Sequence, residues 1–440
     1  MPKARTGNDS WEMYSDDGWA ARVRRAKMGV TAAFLAHAVL FSSWAAHIPR
    51  VKAELGLSDA ALGTALFGAP LGSVAATLLS HWALPRWGSA RLVRVTVAGY
   101  AAAGASVGLA GSGAWLFGAL ALWGFFQGAL DVAMNTQGAA VERLARAAIM
   151  SRFHGMWSVG ALAGALIGAA CVGAGVGLLP QLAVLGVVAV AVVETLTRPL
   201  IADEAAGPEP GAGRPGRAWL TPAVGVLAAV AFASFLCEGA ATDWSATYVR
   251  DVVGAGPVVA ACSYAAYTCA MVVTRFGAVR LQSRVSARVL LPALASFAAV
   301  AMAVTLAAAD PVVSVVGFAA LGAGVALLVP TAFSAAYSAS GAGSAIAIVA
   351  ATGWVGYLLG PPLIGHLAGR VGLAGALVAI PVILAAAGVA IRCSRAFDQP
   401  QLRSQTCNSV PSDTSTTSSG MSSSALADAS HRRWWDAGGP

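Results

Sequence analysis

Charge is scarce in this sequence. Of 440 residues, 28 are Lys or Arg and 20 are Asp or Glu, together 11%, against about a quarter in an ordinary globular domain. Hydrophobic types make up 57%, and mean hydropathy is +0.70. A chain this apolar has too few polar groups to cover a water-exposed surface, which excludes a large soluble enzyme. The six cysteines (Cys171, Cys237, Cys262, Cys269, Cys393, Cys407) contain no CxxC pair, and four lie in apolar runs. They read as small buried filler rather than disulfides or metal ligands. No Walker P-loop is present, which excludes ATP-driven work by this chain alone. No nucleophile–base or metal-ligand pattern is legible either, so an enzyme is not expected and no cofactor is implied. No cleavable signal peptide is evident, because a polar stretch precedes the first apolar run and many such runs follow it.

What is there instead is long apolar runs. They fall at 28–47, 62–84, 91–110, 114–133, 155–175, 177–197, 219–240, 257–276, 289–309, 312–333, 344–366 and 371–391. Each is about 20 residues long, enough to cross a bilayer as a helix. The expectation is an all-α polytopic membrane protein with twelve spans. The net charge of +8 comes from short basic clusters at span ends, with no continuous stripe, so nucleic acid is not expected as a partner. With the N-terminus in the cytoplasm, nearly all Lys and Arg fall on the inner side, Arg275 counted among them. Only Arg50, Lys52, Arg250 and Arg370 fall outside. This bias predicts both termini in the cytoplasm.

The two halves echo each other. Trp44 precedes Arg50 as Trp244 precedes Arg250, and Arg86 and Gly88 correspond to Arg284 and Ser286. Residues 198–218 mix Pro, Gly and both charge signs, reading as a flexible linker. The expected layout is a cytoplasmic tail over 1–27, six-helix bundles over 28–197 and 219–392, and a disordered tail over 393–440. Trp434 and Trp435 in that tail either touch the membrane surface or are simply exposed. Paired bundles of this kind enclose a central cavity and rock around it.

Small residues mark helix seams: Gly160, Gly164 and Gly168 in span 5, Gly68 and Gly72 in span 2, and Gly353, Gly356 and Gly360 in span 11. Pro70 interrupts span 2, and Pro361 with Pro362 interrupts span 11. Ionisable groups in hydrocarbon are costly and therefore candidates for function. Asp131 is placed near the inner end of span 4, on one face with Gln127 and Asn135, and His154 opens span 5 on the same side. Asp131 and His154 are positioned to pair. Glu238 and Asp243 are placed toward the outer mouth. His37, in mid-span 1, is a proton carrier or a satisfied structural histidine. Tyr264 and Tyr267, with Gln127 and Trp157, offer hydroxyl, amide and ring surface to a small polar solute. For the acids, a buried structural network is the competing reading.

The segments WAAHIPRVKAELGLSDAALGTALFGAPLGS from Trp44, GALDVAMNTQGAAVERLARAAIMSRFHGMWSVGALAG from Gly128 and CEGAATDWSATYVRDVVGA from Cys237 carry a resemblance. They resemble the major facilitator superfamily, and within it the bacterial MosC/YbjJ-like subgroup. The family's loop pattern is matched by Arg86, Gly88 and Arg91, and in the second half by Arg280, Arg284 and Arg288. His81, Pro85, Val279 and Ser286 depart from it, and the missing acids weaken the family's cytoplasmic latch. The resemblance implies a monomeric secondary transporter in the bacterial cytoplasmic membrane, moving a small solute by alternating access. Rhizopine, an inositol-derived compound associated with one relative, points toward polyols or sugars. Protons are the expected coupling ion, and the lipid bilayer is the surrounding partner. A scaffold or sensor with a transporter fold and a drug or metabolite efflux antiporter are the alternatives.

Overall fold

A computed structural model describes residues 16–145, 149–198, 200, 221–340 and 343–397. The proposed linker lies almost wholly outside these residues, as do most of both tails, including Cys407, Trp434 and Trp435. Every regular element among the described residues is helical, as the bilayer requires of a chain that must satisfy its own backbone. Hydroxyls inside the helices bond back to carbonyls four residues earlier, as Thr96 does to Leu92, Thr242 to Glu238 and Thr268 to Tyr264. A polar side chain thereby hides its donor from lipid.

The helices are α1 (Asp16–Ser43), α2 (Ile48–Glu54), α3 (Asp59–Leu66), α4 (Gly68–Trp87), α5 (Ser89–Gly108), α6 (Gly113–Ala145), α7 (Met150–Gly173) and α8 (Leu178–Leu196). The second half continues with α9 (Pro222–Asp251), α10 (Pro257–Arg284), α11 (Ala287–Ala308), α12 (Pro311–Val325), α13 (Leu328–Ser340), α14 (Gly343–Leu377) and α15 (Ala379–Cys393). Ten helical stretches are long and apolar enough to span a bilayer. The helices α5 and α15 occupy the two remaining positions at which the sequence places spans.

Successive spans, with α3–α4 and α12–α13 each counted as one, alternate in direction and define two ends. The basic end carries the start of α1 and the α4–α5, α6–α7 and α10–α11 turns. The far end carries residues 44–58 and the α5–α6, α7–α8, α9–α10 and α11–α12 turns. Arg50, Lys52, Arg250 and Arg370 all belong to the far end.

Packing repeats from one half to the other. In the first half α1 packs on α7, α4 on α6 and α5 on both α6 and α8. In the second half α9 packs on α14, α10 on α12 and α11 on both α12 and α15. The seams use the same device twice. A methyl group added at Gly164 or Gly168 would stand 2.5 Å from the carbonyl oxygen of Val39 or Ser43, so only glycine lets α7 lie directly on the α1 backbone. Gly356 seats α14 on α9 in the same way, an added methyl standing 2.4 Å from the Phe232 carbonyl oxygen, whereas one at Gly360 makes ordinary contact with Leu236 at 3.5 Å. The result is two pseudo-symmetric six-helix bundles.

Several local expectations need correction. Pro70 does break its span: without its N–H the helix parts at Phe67, between α3 and α4. Pro361 and Pro362 take two N–H groups out of the hydrogen-bond ladder without ending α14, whose non-helical residue is Gly372, with φ 75°. The loop echo is also imperfect. Gly88 has φ 73°, whereas Ser286 caps α11 with φ −63°, so the second turn has no need of glycine. Of the described cysteines only Cys237 is buried; Cys269 and Cys393 are exposed, and all five are free thiols. The filler reading therefore holds for one residue, since helices in lipid have an apolar outer face as well as a core.

Candidate functional site

The two bundles meet most closely toward the far end. Lys52 in α2 pairs with Asp59 in its own half at 2.5 Å and with Asp251, the last residue of α9, at 2.6 Å. Gly63 in α3 approaches the Pro361 carbonyl and Gly365 in α14. Ala46, Ala169 and Ala261 form a small apolar cluster across the same seam. None of this closure was singled out from the sequence. Opposite charges that meet only through folding leave no local pattern.

Below this closure lies a polar layer. The Tyr264 hydroxyl, on α10, is 3.4 Å from the Ser42 hydroxyl of α1, joining the halves. Tyr264 stacks on Tyr267 at 6.2 Å, and both rings are almost fully buried. Thr242 of α9 stands beside Tyr264 and beside Tyr357 of α14. Asp243 and Glu238, both half-buried, are within electrostatic reach of Tyr357. Tyr357, Thr242 and Ser42 are participants the sequence reading passed over, since a single hydroxyl in an apolar helix carries no signal of its direction.

The depth of Glu238 differs from expectation. The apolar run of span 7 ends at residue 240, but α9 continues to Asp251. At about 1.5 Å per residue, Glu238 is about 20 Å in from the far end of its helix, near the middle, and Asp243 about 12 Å. Asp131 moves likewise, because α6 continues to Ala145; its position is mid-helix rather than near the inner end. Asp131 does not pair with His154. Asn135, one turn on, donates to the Asp131 carboxylate at 3.2 Å and to its backbone carbonyl at 2.8 Å. A partner on the same helix was already in reach, whereas α6 and α7 scarcely touch.

His154 is exposed, sets its ring edge-on to Phe34, and faces Arg275 of α10 across the gap between bundles. The sequence places Arg275 at the inner end of the run 257–276, but α10 runs on to Arg284. It lies within the helix, half-buried, about 27 Å from the far end by helical rise. Its Nε donates to the Ala326 carbonyl at 3.4 Å. That carbonyl is open because Pro330, four residues on, has no N–H to give it. The break between α12 and α13 falls at the same place. Glu238 and Tyr267 are also within electrostatic reach of Arg275.

His37 is 3% exposed. Its Nδ1 accepts from the Trp157 indole N–H at 2.9 Å, its ring stacks on Tyr100, and the Gln127 backbone lies close by. In this arrangement His37 stands behind Trp157, while Trp157 and Gln127 are half-buried. In the loop segment, Arg86 donates to the Trp82 carbonyl and lies 4.3 Å from the centre of the Trp82 ring. Arg91, Arg280 and Arg284 are exposed, and Arg288 begins α11.

Two helical bundles built on one packing scheme, enclosing half-buried acids and an arginine, define a membrane transporter class. Residues 29–343 match the model of the Major Facilitator Superfamily, and the chain belongs to that family. It is 34% identical over 366 residues to the uncharacterized transporter y4wD of Sinorhizobium fredii, covering 80% of this chain and 96% of that one. It is 29% identical over 377 residues to the membrane protein MosC of Rhizobium meliloti, covering 84% and 90%. Among solved structures, the nucleoside transporter NupG superposes with TM-score 0.62 at 16% identity, covering 84% of this chain and 99% of that one. A D-xylose-proton symporter does so with TM-score 0.61 at 12% identity, covering 84% and 96%. At such identities these likenesses speak for the fold alone.

Proposed function

We propose that this protein is a proton-coupled secondary transporter of the bacterial cytoplasmic membrane. It moves a small polar solute of sugar or polyol type by alternating access, and acts as a monomer. The basic end faces the cytoplasm, with both termini and the 198–218 linker on that side, and the bundles comprise 28–197 and 219–392. The basic asymmetry between the two ends supports this orientation.

The observation that carries the reading is the placement of Asp131 in one bundle and Glu238 and Asp243 in the other. All three are half-buried, Asp131 and Glu238 near mid-helix and Asp243 about 12 Å from the far end, and among the described residues none is in an ion pair. Carboxylates at such depth are costly unless solvated, paired or protonated. Rocking of the bundles changes which of these conditions each acid meets, and so lets it bind a proton on one side and release it on the other. Gln127, Trp157, Tyr264 and Tyr267 supply the ring and hydrogen-bonding surface for the solute, with His37 holding Trp157 in place. His154 lines the route toward the basic end.

The test is flux into proteoliposomes. Asp131→Asn and Glu238→Gln should each abolish uptake driven by a pH gradient while leaving solute exchange and folded yield intact. Full gradient-driven uptake by both variants refutes proton coupling through these residues. Absence of flux for a broad solute panel, with a stable partner complex, supports a scaffold instead.

A further inference from the structure

Among the described residues Arg275 has no bonded counter-ion. Among the described residues the ion pairs are Arg50–Glu54, Lys52–Asp59 and Lys52–Asp251, so no carboxylate stands within 4 Å of Arg275. Its Nε is committed to the Ala326 carbonyl. That bond fixes the plane of the guanidinium and leaves its two terminal nitrogens as a preset fork. A second donor lies nearby: the Tyr267 hydroxyl is buried with no hydrogen-bond partner, and Tyr267 is within electrostatic reach of Arg275. The other charged or titratable neighbours are Glu238, on α9, and His154, on α7, facing Arg275, with Tyr264 and Cys237 beside Tyr267. Glu238 is close enough to attract the guanidinium but is not bonded to it.

A charged fork beside a bare phenol, both donors, is suited to a planar anion with two acceptor oxygens. We propose that Arg275 and Tyr267 bind the carboxylate of an acidic solute, so that the transported compound is a sugar- or polyol-like acid rather than a neutral one. This rests on the transporter reading above and narrows its substrate class. Trp157 and Gln127, on the facing bundle, are left to meet the hydroxylated part of the same molecule. The Pro330 gap positions the fork, since an unbroken α12–α13 helix would use the Ala326 carbonyl itself.

The experiment uses the full chain in detergent and in proteoliposomes. The probes are D-gluconate and D-glucuronate, set against D-glucose and myo-inositol. The acids should raise the unfolding temperature through preferential binding to the folded state, and the uncharged compounds should raise it less or not at all. Arg275→Gln should weaken acid binding by about tenfold or more, and Arg275→Lys should keep part of it, since a point charge remains while the fork is lost. Tyr267→Phe should weaken the acids and leave the uncharged compounds unaffected. The unliganded unfolding temperature of each variant reports its folding. Should Arg275→Gln fail to fold, the Lys and Phe variants decide. Uncharged compounds that bind as tightly as the acids, or acids indifferent to both Arg275→Lys and Tyr267→Phe, overturn the proposal. Transport of an uncharged solute that is unaffected by these variants overturns the acid class but leaves the transporter standing. Neither binding nor flux for any solute overturns both.

Discussion

The Lys52–Asp251 bridge joins the last turn of α9 to α2 in the other bundle, so it exists only while the far end is shut. Asp251→Asn removes the charge from that bond and leaves Lys52 paired with Asp59. The three side chains are 15%, 32% and 20% exposed, which is drier than a surface pair but not sealed. A contribution of about 1 kcal/mol follows, at the upper edge of exposed pairs and well below a fully buried one. That corresponds to about a fivefold shift in the balance between far-end-closed and far-end-open forms. Packing of Gly63 against Pro361 and Gly365 remains, so the closed form weakens without being lost. Spin labels at Ser112 and Val312, at the far ends of the two bundles in a background lacking native cysteines, read the balance directly. The Asp251→Asn distance distribution should gain weight at longer separations. Glu54→Gln, which breaks the Arg50–Glu54 pair inside one half, should change nothing. Identical distributions for Asp251→Asn and the parent, or an equal response to Glu54→Gln, would refute the latch.

Other outcomes follow from the same geometry. Gly164→Ala should cost about 1–3 kcal/mol by forcing α7 off the α1 backbone, read as a lower unfolding temperature, while Gly118→Ala, whose added Cβ meets open space, should be near neutral. Trp157→Phe leaves the buried His37 Nδ1 without its donor, a loss of about 1–3 kcal/mol in unfolding free energy. Gly88→Ala should cost about 1 kcal/mol, since φ 73° disfavours any side chain. A cysteine at Pro208 should be labelled only after the inner membrane face is exposed, and labelling from outside intact cells would invert the proposed topology.

Much of this protein was legible in order. Long uncharged runs can satisfy their backbone in lipid only as helices, so composition and spacing alone specify an α-helical membrane protein. The Gly160–Gly164–Gly168 ladder announces a close helix approach, because removing side chains every fourth residue has one steric consequence. The resemblance around Gly128 pointed to the family that the comparisons then established. What the sequence could not place was depth and partnership. Asp131, Glu238 and Arg275 were set near span ends because hydropathy falls where charges begin, yet the helices continue past them. Hydropathy measures transfer from water to lipid, and it cannot see that a neighbouring bundle provides a polar surface at the same depth.

Partnership is decided by tertiary structure for a related reason. Asp131 found Asn135 rather than His154, which sequence proximity to the same membrane face had suggested, because α6 and α7 diverge. Lys52 and Asp251 meet only when two bundles close, and Arg275 reaches Ala326 only because Pro330 leaves that carbonyl free and α10 packs on α12. Chain composition determined where helices form and which solvent surrounds them, since both depend on local transfer energies. The rotation of each helix and the meeting of the halves determined which polar groups share a cavity, since those contacts join residues distant in sequence.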